Sequence, residues 1–286
     1  MSINDKLSGD VQAKLDKLRA YIKSLGSLAV GFSGGVDSSL LMVVAHDVLG
    51  DKAIAVTCTA VFVPDRELRE AHDFCAERGI RQLTCKVDPL SKENVRHNPP
   101  DRCYHCKNMI FSEIKRIAAE NGIEYVAEGS NMDDLGDYRP GLRAVEELGI
   151  TSPLRQAELT KSDIRQISRA LGLPTWSKPS YACLASRFVY GEDITVEKLQ
   201  MVDKAEEFLI ERGFVNERVR IHGNLARIEV PAEDIDKLAA CDMRKELTSR
   251  FKEIGFTYVT LDLQGYQMGS MNAVLDKSIT GSGKGK

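Results

Sequence analysis

The chain of 286 residues has no excess of positive charge: 39 Lys and Arg stand against 42 Asp and Glu, a net charge of −3. A broad nonspecific nucleic-acid surface would need a strong basic excess, so that class is argued against, although a local basic groove is not. No apolar run approaches the ~18 residues of a membrane span. The densest, Leu40 to Ala45, is far too short. The opening residues Met1 to Lys6 lack the apolar stretch of a signal peptide, so a cytoplasmic location is expected. Repeats with a period of ~20–50 residues are missing too. The seven cysteines are odd in number and have no disulfide-scaffold rhythm. In a reducing compartment such cysteines are core fillers, metal ligands or reactive thiols.

What is present suits a globular protein. Hydrophobic residues make up 43% of the chain, and a chain this long buries roughly 75% of its unfolded surface without disulfide staples. At about 150 residues per domain the length corresponds to roughly two domains.

Hydrophobic spacing gives the organisation. Val11, Leu15, Leu18, Ile22 and Leu25 recur at helical intervals, and Gly26 ends that helix. Leu28 to Phe32 reads as a buried strand, followed by a Ser33-Gly34-Gly35 turn and an apolar helix to about Leu49. Further strands are expected at Ile54–Thr59, Gln82–Val87 and Glu124–Ala127. Helices are expected at Arg66–Arg78 and over Ile110–Asn121. This alternation predicts an α/β fold with a parallel sheet covered on both faces. A helix starting at Thr160-Lys161-Ser162-Asp163 runs to Leu171-Gly172. An irregular connector with Pro174 and Pro179 leads to about Asp193. A smaller α+β segment follows, with a helix at Val196–Arg212, short strands around Val219–His222 and Ala226–Val230, two helical stretches, and a strand near Tyr258–Leu263. A domain boundary is expected within 180–193, and Thr280 to Lys286 reads as a flexible tail.

Ser33-Gly34-Gly35-Val36-Asp37-Ser38 is the most informative segment. Two glycines let the backbone turn tightly and present N–H groups to an anion, and the following helix points its positive end at the same spot. Ser33 and Ser38 add hydroxyl donors. Asp37 would repel a bare phosphate, so it holds Mg²⁺ or caps the helix. The segment lacks the Gly-Lys-Ser/Thr of a Walker loop and the third glycine of a dinucleotide fingerprint. It resembles the pyrophosphate loop (PP-loop) of the N-type ATP pyrophosphatases, which cleave ATP to AMP and pyrophosphate while adenylating a substrate oxygen.

Cys103 and Cys106 form a Cys-x-x-Cys pair just before the helix expected at Ile110, where the helix dipole stabilises thiolates. Spacing alone leaves half a zinc site, a redox pair and chance open. Cys183 is a third candidate. Three thiolates leave one position of a zinc site open, or bind a four-iron–four-sulfur cluster with one iron free for another ligand. Cys58, Cys75, Cys85 and Cys241 lie in apolar or helical settings and read as packing residues.

Several segments together resemble the LarE family of ATP-dependent sulfur transferases. They are Asp101 to Lys107, Asp137-Tyr138-Arg139-Pro140-Gly141, Lys178 to Arg187 with Tyr190-Gly191, Arg218-Val219-Arg220-Ile221-His222, and Leu261 to Tyr266. The resemblance runs from about residue 10 to 275. It implies a Rossmann-like PP-loop ATP pyrophosphatase domain at 1–185, an α+β substrate-binding domain at 186–276 and a tail at 277–286. It also implies thiolation of a pyridinium dicarboxylate mononucleotide in nickel-pincer nucleotide biosynthesis, with ATP and Mg²⁺. Members use one of two sulfur sources. One sacrifices a single cysteine, at the position of Cys183, and leaves dehydroalanine. The other carries a 4Fe-4S cluster on three cysteines, and Cys103, Cys106 and Cys183 resemble that type. Gln267 departs from the basic residue often found after Gly-Tyr.

Within this resemblance Ser33, Gly34, Gly35, Asp37 and Ser38 hold ATP, and Ser186 and Arg187 orient a carboxylate or phosphate beside Cys183. Arg218 and Arg220 alternate on a strand and face one side. They are either a solvated face or the substrate-phosphate site, which the family resemblance favours. Glu128-Gly129-Ser130-Asn131 with Asp133 and Asp134 is either a polar loop or part of the site at the end of a parallel strand. The expected partners are a small-molecule substrate, a sulfide donor and further copies of the chain, without membrane or nucleic acid. Three other readings compete. A tRNA thiolase would need a tRNA-binding surface. An ammonia-using synthetase gives the cysteines no role. A nonenzymatic nucleotide sensor would bind ATP without releasing pyrophosphate.

Overall fold

The computed structural model describes residues 7–136, 140–179, 182–267 and 269–275. Asp137-Tyr138-Arg139, Ser180, Tyr181 and the expected tail lie outside the described residues. Two compact units are present, residues 1–88 with 103–180 and residues 89–102 with 181–286.

In chain order the main elements are α1 (Gly9–Leu25), β1 (Leu28–Gly31), α2 (Val36–Leu49), β2 (Ala53–Thr59), α3 (Asp65–Glu77), β3 (Gln82–Lys86), α4 (Glu93–Arg96), α5 (Arg102–Glu120), β4 (Tyr125–Ala127), α6 (Gly141–Glu147), α7 (Pro153–Gln156) and α8 (Lys161–Ala170). Then come α9 (Val196–Glu211), β5 (Arg218–His222), β6 (Leu225–Glu229), α10 (Ile235–Ala239), α11 (Cys241–Ile254) and β7 (Tyr258–Leu261). Among the described residues no helix is long and apolar enough to cross a membrane.

The first unit is a Rossmann-like parallel sheet of order β3-β2-β1-β4. Alternation along β1 builds a core on each face. Leu28 and Val30 pack with Leu15, Leu18 and Ile22 of α1, Leu40 and Leu41 of α2, and Ile164 and Ile167 of α8. Ala29 packs on the other face with Ile54, Val56 and Val126, under Phe111, Ile114 and Ile117 of α5. Burial on both faces explains why these strands read as continuous apolar runs. The start of α8 is fixed by a capping box: Thr160 Oγ1 accepts from the Asp163 amide, and Asp163 accepts from the Thr160 amide.

The second unit carries a smaller sheet of order β5-β6-β7, antiparallel between β5 and β6 and parallel between β6 and β7. The boundary expected within 180–193 leaves 89–102 to the first unit, yet the second unit also takes in those residues. Asn98 supplies the physical reason. Fully buried at a positive φ of 49°, it donates through Nδ2 to the carbonyls of Phe188 (3.3 Å) and Val189 (2.7 Å). Its own carbonyl accepts from the Gly191 amide at 3.0 Å, and the Ile194 amide donates to Arg96 O at 2.8 Å.

Candidate functional site

The glycine turn sits between β1 and α2, at the C-terminal end of the parallel sheet. Gly34 has a φ of +69°, and a Cβ there would meet Ala71 Cβ at 3.2 Å and Cα at 3.3 Å. Glycine therefore answers both the left-handed backbone and the close approach of α3. Ser33 Oγ and Ser38 Oγ lie 3.1 Å apart, and Ser38 Oγ donates to the Gly35 carbonyl at 3.2 Å. The loop rests on β2: the Phe32 amide donates to Val56 O at 2.9 Å, and Thr57 Oγ1 donates to Phe32 O at 3.0 Å. The Ser39 amide makes an early intrahelical bond, to Gly35 O. The amides of Val36, Asp37 and Ser38 are thus the ones a helix leaves for an outside acceptor, at its positive end.

Asp37 does not cap the helix. Gly35 holds the N-cap position, and no side chain bonds there. The Asp37 carboxylate instead accepts from the Lys161 ammonium and, at 3.2 Å, from Asn131 Nδ2. The expected cluster after β4 does reach this loop. A Cβ on Gly129 would meet Asp37 Cβ and the Ser38 amide nitrogen, each at 3.2 Å, so only glycine lets the two backbones approach this closely. Glu128, next to it, is buried and accepts from the Ser130 amide (3.0 Å), Ser130 Oγ (2.7 Å) and Ser152 Oγ (2.6 Å), with Lys107 Nζ at 3.6 Å. Asp133 accepts from the Lys161 amide at 2.6 Å, and Asp134 accepts from the Asn131 amide at 2.9 Å.

Three lysines that sequence reasoning assigned no role bring positive charge here. Lys161 pairs with Asp37, Lys107 with Glu128, and Lys178 donates to Gly34 O at 3.0 Å while pairing with Glu70 at 2.6 Å. One signal was available. Lys161 is the first residue of α8, where a cation opposes the helix dipole and calls for a compensating anion.

Cys103 and Cys106 lie inside α5, whose first turn starts eight residues before the expected Ile110. Cys103 is exposed and Cys106 buried. Spaced by three residues, they are neighbours on the helix surface. Gly141 of α6 belongs against this turn, because a Cβ there would meet Lys107 Cδ at 2.8 Å and Cys103 O at 3.4 Å. Among the described residues no three His, Cys, Asp or Glu side chains gather to hold a metal ion.

Cys183 is exposed and belongs to the second unit. Its loop is held from below by Arg187, which is 1% exposed. Arg187 donates from Nε and Nη2 to the two oxygens of buried Glu206 (2.8 and 2.9 Å), and from Nη1 to Ala182 O and Ser186 Oγ, both at 2.8 Å. Its guanidinium is therefore committed to the loop itself. Burial pushes the Glu206 carboxyl up, but Arg187 beside it and the Val219 amide hold it below its ordinary range.

Arg218 and Arg220 are not a solvated strand face, being 2% and 5% exposed. Arg220 donates to Glu229 (2.8 Å), Ser186 O (3.0 Å) and Ser270 Oγ (3.2 Å). Arg218 donates to Glu217 O at 2.6 Å and lies 5.0 Å over the Tyr266 ring. Burial lowers the Arg218 guanidinium, with Arg187 adding to the effect. Glu206, Glu217 and Glu229, fully buried partners or neighbours of these arginines, went unassigned in the sequence.

Comparisons with known proteins agree with this architecture. Residues 10–110 match the family model for NAD synthase. An uncharacterised protein of Synechocystis sp. is 44% identical over 267 residues, covering 93% of this chain and 100% of that protein. A glutamine-hydrolysing GMP synthase component of Archaeoglobus fulgidus is 26% identical over 215 residues, covering 70% of this chain and 69% of that protein. The pyridinium-3,5-bisthiocarboxylic acid mononucleotide synthase of Lactiplantibacillus plantarum is 38% identical over 262 residues, covering 91% of this chain and 94% of that protein. With that identity along nearly the full length of both chains, and a pyrophosphate loop at the head of its parallel sheet, this chain belongs to the LarE family.

Proposed function

We propose that this chain is an ATP-dependent sulfur transferase. It adenylates the carboxylates of a pyridinium dicarboxylate mononucleotide and converts them to thiocarboxylates, in nickel-pincer nucleotide biosynthesis. The observation that carries this reading is the loop Ser33–Ser38, with α2 behind it and Lys161 and Lys178 beside it, in a chain 38% identical to a relative named for that product.

A carboxylate is a poor electrophile because its leaving group would be oxide. Attack of a carboxylate oxygen on the α-phosphorus of ATP expels pyrophosphate and leaves AMP as the leaving group on the acyl carbon. The amides at the start of α2, with the lysines, offset the charge growing on pyrophosphate. Asp37, partly exposed at the loop, has the oxygen chemistry that Mg²⁺ takes, and the ion bound with ATP would neutralise phosphate charge. Sulfide then displaces AMP. Two carboxylates require two rounds. Arg218 and Arg220, expected at the mononucleotide phosphate, are buried against Glu217 O, Ser186 O and Glu229, and their role here is to hold the interior of the second unit. Ser186 and Arg187 position the Cys183 loop.

Cys103, Cys106 and Cys183 would hold a 4Fe-4S cluster. Three thiols are the donor chemistry such a cluster takes, and Cys103 and Cys183 are exposed. When bound, such a cluster supplies an open iron for sulfide. The test is iron and acid-labile sulfide content of anaerobically purified protein, with intact-protein mass after turnover. Iron is expected, and Ala at any of the three positions should lose it. Repeated turnover with added sulfide should leave the chain mass unchanged. Dehydroalanine at 183 in iron-free protein would overturn the cluster and leave the ATP chemistry standing. ATP binding without pyrophosphate release would overturn the transferase itself.

A further inference from the structure

The parallel ladder between β2 and β3 sets Cys58 directly opposite Cys85. Register partners on neighbouring parallel strands project to the same face, and adjacent strands lie about 4.8 Å apart. That spacing falls inside the Cα separation of about 4.4–6.8 Å that a disulfide spans. The two side chains belong to the face covered by α5, with Ile54, Val56 and Ile114 around them. Cys85 is buried and Cys58 half-buried, so Cys58 is the more accessible of the pair. The two thiols face each other across the ladder.

We propose that Cys58 and Cys85 form an oxidation site that closes to a reversible intrachain disulfide under peroxide-class oxidants. The site does not rest on the function proposed above. The step balances. Cys58 thiol and hydrogen peroxide give the sulfenic acid and one water. The Cys85 sulfur then attacks the Cys58 sulfur, the S–S bond forms, and the hydroxyl leaves with the Cys85 proton as a second water. Two thiols are oxidised and one peroxide is reduced.

The experiment uses the full chain. Reduced protein is treated with hydrogen peroxide, remaining thiols are alkylated, and an unreduced tryptic digest is read by mass spectrometry. Cleavage after Lys52, Arg66, Arg81 and Lys86 places the two cysteines on the peptides Ala53–Arg66 and Gln82–Lys86, and Cys75 on Glu70–Arg78. The expected product is Ala53–Arg66 joined to Gln82–Lys86, lighter than their sum by two hydrogen atoms and separated again by dithiothreitol. C58S and C85S should each abolish it. C75S should keep it, since Cys75 packs in the core on the other face of the sheet. Wild-type mapping decides the matter even if a variant fails to fold. Recovery of both peptides as alkylated thiols while Cys103 or Cys183 is oxidised would overturn the proposal. So would Cys58 joined to Cys106, whose sulfur lies within electrostatic range of it.

Discussion

Replacing Glu217 with Gln should change how stability depends on pH. Glu217 is fully buried, and neither carboxyl oxygen has a hydrogen-bond partner among the described residues. Burial first, then the nearby Glu206 carboxylate, push its carboxyl from the ordinary 4.5 to about 7. The folded state therefore binds this proton more tightly than the unfolded chain does. As pH rises through the unfolded value the unfolded chain sheds its proton first, so stability falls, and it levels off once the folded group has ionised too. At about 1.4 kcal/mol per pH unit, the gap between 4.5 and about 7 corresponds to a loss of about 3 kcal/mol, most of it between about pH 5 and pH 8. In Glu217→Gln that loss disappears. Any fixed cost of burying the amide is the same at every pH and cancels when the two proteins are compared across pH. Urea unfolding of both proteins at several pH values is the assay. The stability of the variant relative to wild type should rise by about 2–3 kcal/mol from about pH 5 to pH 8. Parallel curves would refute the reasoning and mean that the folded state ionises Glu217 as easily as the unfolded chain.

Two further substitutions test the site and its support. Glu206→Ala leaves the Arg187 guanidinium buried without its carboxylate and the Val219 amide without its acceptor, so it should cost about 3–5 kcal/mol in urea unfolding. The double variant R187M/E206L should recover much of that loss, because replacing both ions together leaves no uncompensated charge. Asp37→Ala should abolish substrate-dependent AMP and pyrophosphate formation while the far-ultraviolet dichroism stays that of wild type, and wild-type product formation would remove Asp37 from the chemistry.

The fold was legible where local rules decide it. The strands β1, β2 and β4 lie close to the apolar runs, because both faces of a parallel sheet are buried and the runs are continuous. The start of α8 was legible from Thr160 and Asp163, whose reciprocal bonds need no tertiary partner. The start of α5 was not. Arg102 to Asn108 is polar and offers little apolar periodicity, so a reading based on hydrophobic spacing began the helix at Ile110. Its first residue, Arg102, is held by Asn98 Oδ1 (2.7 Å) and by the carbonyl of Ala185, far along the chain. For the same reason a reading along the chain could not assign 89–102 to the second unit. The contacts that hold it there reach Phe188, Val189 and Ile194.

The candidate site divides along the same line. The turn at Ser33–Ser38 follows from residue types in a row, a strand, two glycines and a helix start, and the structure has the turn those types require. What balances Asp37 does not follow, because Lys161 is 124 positions away. Arg218 and Arg220 are the sharper case. Strand alternation correctly puts two guanidiniums on one face, but alternation does not say what covers that face. Solvent and a substrate phosphate were the choices that local pattern offered. The second unit adds the carboxylates Glu206, Glu217 and Glu229, all fully buried. Glu229 faces Arg218 across the β5–β6 register and pairs with Arg220, and Glu206 pairs with Arg187. Buried guanidiniums held by carboxylates resist displacement, since removing any one partner strands a charge in a low-dielectric interior. Such a network gives the second unit a rigid charged interior beneath the exposed Cys183 loop, and Arg187 is where the two meet, through its bonds to Ala182 O and Ser186 Oγ. Cys183 thus stands on a loop whose position depends on an ion pair that no stretch of local sequence reveals.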